Sequence, residues 1–372
     1  MAQKEGEEAT IHGDVLETIL SHVPLIDLVS ASHVSKSWRH AVSSSLRHLN
    51  PPKPWLSLHT QSTRHPYATT THAYDPRSNT WIKISRPLID YASALKSSDS
   101  NFLYMLSPSK FSFSFDPLNS NWCHVSPPSV WRTDPIVARV GDAVVIAGGA
   151  CDFEDDPLAV EIYDLNARAW STCESMPADL KDSAAAAWLS IATTAEKLVV
   201  ADKHSGVTHW FDPVTKSWSD PFVLDPNQTL SSYNIGFSNN SLILIGFCRN
   251  ENIDRVKIWR FCDEDYNLFE EIGEMPLDYV IKLKSKCFGN FCIDTRVAGN
   301  IVYVYNTWEA EEVVACELVA GGGCRWWGVS NVVAREGMIV DRLVFSCSDV
   351  GIKELRRAMA VKNWRFEEKF TD

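Results

Sequence analysis

The sequence has no long hydrophobic run, and this absence argues against several classes of protein. No stretch approaches the roughly eighteen apolar residues of a membrane-spanning helix, so we expect no membrane partner. The first ten residues, MAQKEGEEAT, are polar and acidic, which predicts a disordered tail rather than a secretory or transit peptide. Basic residues are outnumbered: 35 Lys and Arg stand against 47 Asp and Glu, a net charge of −12. Such a chain repels phosphate backbones, so we expect no nucleic-acid partner.

The ten cysteines lack the spacing of a metal site or a redox motif. No Cys-x-x-Cys is present and no Cys/His group has zinc-binding spacing, so we expect no metal and no other cofactor. Several cysteines lie in apolar runs such as LILIGFC (242–248), where cysteine behaves as a small buried hydrophobic residue. We therefore expect reduced thiols and a location in the cytoplasm or nucleus. Without a Gly-x-Ser-x-Gly, a phosphate loop or paired catalytic acids, we do not expect an enzyme.

The residues that are present predict a folded chain with two unequal parts. Apolar residues make up 45% and charged residues 22% of 372 residues, which is ordinary for a folded soluble protein longer than one typical domain. Helical spacing near the N-terminus changes to strands broken by turns after the proline-containing segment NPPKP. We predict a tail at 1–10, a helical module at 11–49, a stiff linker at 50–54 and a β domain at 55–370.

The helical module begins with one amphipathic helix. Asp14 and Glu17 resemble a capping box at its start, and Pro24 predicts its end. One face of this helix is apolar: Val15, Leu16, Ile19, Leu20 and Val23. Two shorter apolar stripes follow. A unit of about forty residues keeps most of its surface wet, so the module needs a partner surface.

This segment resembles an F-box. The residues that match its pattern are Asp14, Leu16, Ile19, Leu20, Pro24, Leu28, Val34, Ser35, Lys36, Trp38 and Arg39. Ile11 and His12 stand where Leu-Pro is usual, which loosens the turn before the helix. The resemblance implies docking on a Skp-type adaptor and, through it, on a cullin; the alternative is an ordinary helical cap on a larger domain. The expected adaptor-binding residues are Ile11, His12, Val15, Leu16, Ile19, Leu20, Pro24, Leu25, Leu28, Val34 and Trp38.

A repeated unit organises the rest of the chain. An aromatic residue precedes Asp, and Trp follows that Asp by six residues, in four copies: YDPRSNTW (74–81), FDPLNSNW (115–122), YDLNARAW (163–170) and FDPVTKSW (211–218). The aromatic residue ends a strand, Asp opens a turn and Trp lies on the returning strand. We therefore assign a structural role to Asp75, Trp81, Asp116, Trp122, Asp164, Trp170, Asp212 and Trp218. A weaker fifth copy spans 261–269.

The repeat resembles the kelch repeat, which combines a double glycine with a later Tyr and Trp. The double glycine is clear at Gly148 and Gly149. The resemblance implies a mainly β fold, a kelch-type β-propeller, with the helical F-box before it. Seven strand-pair units begin near residues 55, 102, 143, 197, 241, 301 and 342. Because the end units are the weakest, six and seven blades both stay open.

Loops that join the second and third strands of each blade gather on one face of a kelch ring. Here they are 151–157, 249–255 and 307–312, and two of them are strongly acidic. They supply the candidate target-binding residues Asp152, Glu154, Asp155, Asp156, Arg249, Glu251, Arg255, Glu309, Glu311 and Glu312. Acidic loops favour a target with a basic surface. The alternative is a solvated rim.

The whole chain resembles the plant F-box/kelch family. That resemblance implies a substrate receptor of a cullin-RING ubiquitin ligase, and the chain looks like the member directed at chalcone synthase. The implied target is therefore an enzyme of phenylpropanoid or flavonoid metabolism. Two alternatives remain: a kelch scaffold without a ligase, and a propeller oxidase with two His ligands. Past residue 125 only His204 and His209 are present, so converging ligands are not expected.

Overall fold

Three short helices open the described part of the chain. The computed structural model describes residues 13–63, 67–85, 93–118, 121–151, 155–226, 230–250, 253–263, 266, 268–284, 293–307, 311–319, 321–331, 341–361 and 364–369. The helices are α1 (Asp14–Ser21), α2 (Leu25–Val34) and α3 (Lys36–Ser44), followed by a π-helical turn at Ser45–Leu49. Pro24 separates α1 from α2, and the Ser35 side chain accepts a hydrogen bond from the Trp38 amide at 3.2 Å to cap α3.

Most of the remaining chain forms antiparallel strands in six sheets. In chain order they are β1 (Trp55–Ser62), β2 (Thr69–Asp75), β3 (Thr80–Ser85); β4 (Leu103–Ser107), β5 (Lys110–Ser114), β6 (Cys123–Val125); β7 (Ile136–Val140), β8 (Ala143–Ala147), β9 (Val160–Asp164), β10 (Ala169–Thr172); β11 (Leu189–Thr193), β12 (Leu198–Asp202), β13 (Val207–Asp212), β14 (Ser217–Trp218), β15 (Phe222–Val223); β16 (Leu230–Ser238), β17 (Ser241–Asn250), β18 (Ile253–Phe261), β19 (Phe269–Glu274); and β20 (Ile293–Ala298), β21 (Ile301–Asn306), β22 (Glu312–Leu318), β23 (Cys324–Ser330). A 3₁₀ helix (Ala178–Ser183) and α4 (Leu277–Lys284) connect sheets.

The ring closes when the end of the chain returns to the first sheet. The last elements are β24 (Asp341–Ser348), α5 (Ile352–Met359) and β25 (Arg365–Lys369). β24 pairs with β1 along its full length, and β25 pairs with β3, so the order of the first sheet is β24-β1-β2-β3-β25. The predicted kelch-type propeller with N-terminal helices is therefore confirmed, with six blades. The strand-pair units near 55 and 342 belong to one blade.

Strands in the middle of a blade are buried on both sides because a neighbouring blade covers each face. β21, with the sequence IVYVYN, is buried throughout. Val302 and Val304 pack toward the fifth blade, whereas Tyr303 and Tyr305 pack toward the first. Successive side chains of a strand point to opposite faces, so this alternation follows from strand geometry.

The repeated unit builds the same turn each time. The first oxygen of Asp75, Asp116, Asp164 and Asp212 accepts a hydrogen bond from the amide two residues later, at 2.9, 3.0, 2.8 and 2.7 Å respectively. This side-chain bond mimics a backbone turn and opens the connection to the next strand. Gly148 and Gly149 lie at φ 67° and 96°, and a Cβ at Gly148 would clash with the Ala184 carbonyl oxygen.

The tryptophans of the repeat join neighbouring blades. The indole N–H of Trp81 donates to the Ser330 carbonyl at 2.9 Å, that of Trp170 to Ser126 at 3.0 Å and that of Trp218 to Glu174 at 3.3 Å. Each acceptor belongs to the preceding blade or its exit. Trp122 packs in a small cluster with Leu95, Leu103, Met105 and Val344. Trp81 is fully buried, whereas Trp170 and Trp218 are half-buried.

We predict that Trp81→Ala lowers the free energy of unfolding by about 3–5 kcal/mol, because it removes a fully buried indole. Trp218→Ala should lower the free energy of unfolding by a smaller amount, since that side chain is only half-buried. Trp81→Phe keeps a ring but loses the N–H donor, which should cost about 1 kcal/mol from the hydrogen bond alone. Urea denaturation of the three variants checks this order. Equal losses for the two alanine variants would contradict it.

Candidate functional site: the helical surface, the loop end and the central channel

The helical module shares one hydrophobic core with the first blade. Leu16, Leu20, Leu25 and Leu28 are at most 3% exposed. Their cluster includes Trp55, Ala73, Ile82 and Ile84 of the first blade and Val350, Leu355 and Ala358 of the C-terminal segment. In this structure the four leucine side chains fill an intramolecular core, and their contact with the adaptor stays a prediction. The chain itself supplies much of the partner surface that the helices need.

The C-terminal segment holds the helical module from a second side. Leu355 of α5 is fully buried in the shared core, and Arg356 donates to the Ser32 hydroxyl of α2 at 2.7 Å. The predicted linker also contacts the propeller: Lys53 lies 3.0 Å from Glu317, and the Tyr303 hydroxyl donates to the Pro54 carbonyl at 2.6 Å. The helices are therefore packed on the ring over several elements.

A different set of apolar side chains in the module faces outward. Val15, Ile19 and Val34 are 61%, 44% and 63% exposed, and Pro24 and Trp38 are half-buried. Val15 and Ile19 are four residues apart on α1 and therefore lie on one helix face. Ile11 and His12 lie outside the described residues. Sequence reasoning missed Leu49, which is also exposed and ends the π-helical turn.

The candidate target-binding loops connect the second and third strands of their blades. Because the strands are antiparallel, these loops lie at the end of each sheet opposite the Asp turns. Asp155 and Glu311 are exposed and Glu312 is half-buried. Asp156 accepts hydrogen bonds from the Leu158 amide at 2.9 Å and the Ser175 hydroxyl at 2.6 Å, so it stabilises its own loop.

Of the other predicted loop residues, the structure describes the side chain of Arg255. Arg255 forms an ion pair with Glu274 on the neighbouring strand of its own blade. Asp152, Glu154, Glu251, Glu309 and the Arg249 side chain lie outside the described residues. Sequence reasoning missed Trp188, which is 63% exposed immediately before β11 at the same end of the ring. An aromatic residue in this position suits a contact with a partner.

The inner strands of the blades line a central channel of about 1010 Å³. The charged side chains in its wall include Asp99, Lys203, Asp294 and Arg296. The Asp294 carboxylate lies 3.4 Å from Lys203 Nζ and 3.0 Å from Arg296 Nη1. Arg296 also donates to the Ser97 carbonyl at 3.2 Å across to the second blade. This network ties three blades together at the axis of the ring.

The pKa values of two carboxyls in the channel wall, Asp99 and Asp294, are shifted in opposite directions. Burial raises the pKa of Asp99, although the Thr193 hydroxyl donates to it at 2.7 Å. Burial acts in the same sense on Asp294, but the positive charges of Lys203 and Arg296 outweigh it and hold its pKa well below the usual range. Among the described residues, no group of three or more His, Cys, Asp or Glu could hold a metal ion. No helix in the described ranges is long and apolar enough to cross a membrane.

Comparison with known proteins connects both parts of the chain to a family. The F-box domain family matches residues 13–50, the segment that contains α1 to α3. An F-box/kelch-repeat protein of Arabidopsis thaliana is 44% identical over 368 residues, which cover 95% of this chain and 93% of that protein. The chain belongs to the F-box/kelch-repeat family. The kelch repeat and BTB domain-containing protein 8 of Danio rerio is 27% identical to the present chain over 112 residues, which cover 30% of this chain and 18% of that relative.

The channel network of this F-box/kelch-repeat protein predicts a pH dependence. Since the pKa of Asp294 is depressed in the folded state, its charge stabilises the fold above the unfolded-state pKa, and this contribution is lost as pH falls through the folded pKa. Lys203→Met should lower the free energy of unfolding near neutral pH by about 1–2 kcal/mol, because the carboxylate loses a partly buried partner.

Thermal unfolding from about pH 7 down to about pH 1.5 tests this expectation, because the variant should lose less stability than the natural protein as pH falls into the range of the depressed folded-state pKa of Asp294. Lys181→Met, at an exposed lysine of the 3₁₀ helix, is the matched control and should follow the natural protein. Parallel stability curves for the Lys203 variant and the natural protein would contradict the assignment.

Proposed function

We propose that this protein is the substrate-recognition subunit of a Skp-cullin-F-box ubiquitin ligase. The observation that carries the proposal is an F-box over residues 13–50 that keeps an exposed apolar stripe, Val15 and Ile19 on one face of α1, and an exposed Val34 at the end of α2, while its other side is packed on a kelch-type propeller. An exposed apolar stripe of this kind marks a protein-binding surface. The stripe binds a Skp-type adaptor, and the adaptor connects the receptor to a cullin.

The receptor works by proximity and performs no bond chemistry of its own. It holds a target protein near the charged conjugating enzyme and so raises the effective concentration of the target's lysines. The target binds at the loop end of the propeller, which is opposite the end with the Asp turns. This reaction takes place in the cytoplasm or the nucleus, where the thiols of the cysteines stay reduced.

The proposed target is an enzyme of phenylpropanoid or flavonoid metabolism, with chalcone synthase as the specific candidate. The resemblance of the chain to the receptor directed at chalcone synthase supports this choice. The exposed carboxylates at the loop end support a target with a basic patch, since complementary charge speeds the encounter of two proteins. Ubiquitination by the assembled ligase then commits the target to proteasomal degradation.

The adaptor contact predicts the effect of charge on the exposed stripe. Val15→Glu combined with Ile19→Glu should reduce adaptor binding at least a hundredfold, because two carboxylates replace the centre of an apolar contact. The fold should survive, since both side chains face outward. Calorimetric titration with purified adaptor measures the loss.

Val214→Glu is the matched control, because it places the same charge at an apolar side chain that is 86% exposed in a turn of the fourth blade. This control should bind the adaptor as the natural protein does. By contrast, Leu16→Glu should unfold the helical module. An adaptor affinity of the Val15/Ile19 variant equal to that of the natural protein would contradict the proposed role of the stripe.

The loop end predicts a separate effect on target capture. Reversing Asp155, Glu311 and Glu312 to Lys should slow association with chalcone synthase and leave adaptor binding unchanged, with a larger effect at low salt. Asp156 is kept, because it holds its loop. Glu196→Lys, in an exposed turn at the opposite end, is the control. If the reversed variant associates with chalcone synthase as fast as the natural protein does at every salt concentration, the target does not bind at the loop end.

A further inference from the structure

The Asp turn of the first repeat differs from its three copies. The residue two positions after Asp is Arg77 in the first copy, whereas Leu118, Asn166 and Val214 occupy this position in the others. Asp75 is completely buried and Arg77 is 7% exposed, whereas Val214, which occupies the position of Arg77 in the fourth-blade turn, is 86% exposed. The helical module contacts the first turn through Asp75 and Arg77.

Arg77 caps the C-terminal end of α1. Its guanidinium donates to the Leu20 carbonyl at 2.8 Å and to the Val23 carbonyl, and its Nε donates to the Asn50 carbonyl at 2.9 Å. The last carbonyls of a helix have no partner within the helix, and a cation at this end is favoured by the helix dipole. One propeller side chain therefore satisfies acceptors at the exit of α1 and after the π-helical turn.

Asp75 acts at the N-terminal end of α2. Its second carboxylate oxygen accepts a hydrogen bond from the Leu25 amide at 3.3 Å, and Leu25 is the first residue of that helix. Pro24 precedes α2 and has no side-chain acceptor, so the helix lacks a cap of its own. A carboxylate at a helix N-terminus supplies both the missing acceptor and a favourable charge. The same side chain forms the turn through the Arg77 amide at 2.9 Å.

We propose that Asp75 and Arg77 are positioning residues that cap α1 and α2 from the propeller and fix the adaptor-binding stripe relative to the target-binding end. This inference rests on the proposed function. With both caps in place, the adaptor and the target are held at a set distance and angle across one rigid ring. A loosened joint would spread the target over more orientations and lower the effective concentration of its lysines.

Hydrogen exchange of the full chain tests the capping contacts without any partner. Asp75→Asn and Arg77→Met should each raise the exchange of amides in α1 and α2 roughly tenfold, the loss expected from one helix cap. Asp212→Asn is the matched control, because it makes the same substitution in a turn that carries no helix. The increase in amide exchange that Asp212→Asn causes should stay within the fourth blade. Unchanged exchange in both helices of the Asp75 and Arg77 variants would overturn the proposal.

Autoubiquitination in a reconstituted ligase tests the positioning role. With saturating adaptor, the natural receptor should be modified at a restricted set of its own lysines, and the Asp75 and Arg77 variants at a broader set and more slowly. Arg77→Lys keeps the charge but not the planar fork, so it should recover part of the restriction. Mass spectrometry identifies the modified lysines.

The two experiments separate the possible failures. Faster exchange with an unchanged lysine pattern would leave the caps as purely structural contacts and overturn the positioning role. If the natural protein does not bind the adaptor at all, the proposed function fails, and the positioning role fails with it. The exchange result would then still describe how the helices are held.

Discussion

The structure depends on one hydrophobic core that the helical module, the first blade and the C-terminal segment build together. Leu16, Leu20, Leu25 and Leu28 enter it from the helices, Trp55 and Ile82 from the blade and Leu355 from α5. A module of about forty residues cannot bury enough surface alone, so its stability comes from this shared core. The F-box is consequently part of the folded body of the propeller, and its orientation is set by packing.

Ring closure and the placement of the helices are coupled through the first blade. β24 closes the ring on β1, and the chain then continues directly into α5 and β25, which cover α2 and β3. The helical module meets the first blade at its Asp turn. The loops with exposed carboxylates lie at the other end of their blades.

Sequence reasoning predicted the repeat well because its physics is local. The Asp turn needs only a carboxylate and an amide two residues later, and the spacing of Asp and Trp reveals both strands. It did not assign the inward face of α1, because Val15/Ile19 and Leu16/Leu20 have the same four-residue spacing. It also missed the channel network, since Lys203 and Asp294 meet only when the blades are arranged in a ring.

The sequence by itself determined the kind of protein: an F-box pattern followed by kelch-like units, with strands and turns at predictable positions. The number of blades was decided by tertiary structure, because the units near 55 and 342 become one sheet only through pairing between the two ends of the chain. The same holds for Asp75 and Arg77. Their turn is encoded locally, but their role as helix caps exists only because α1 and α2 pack against the first blade.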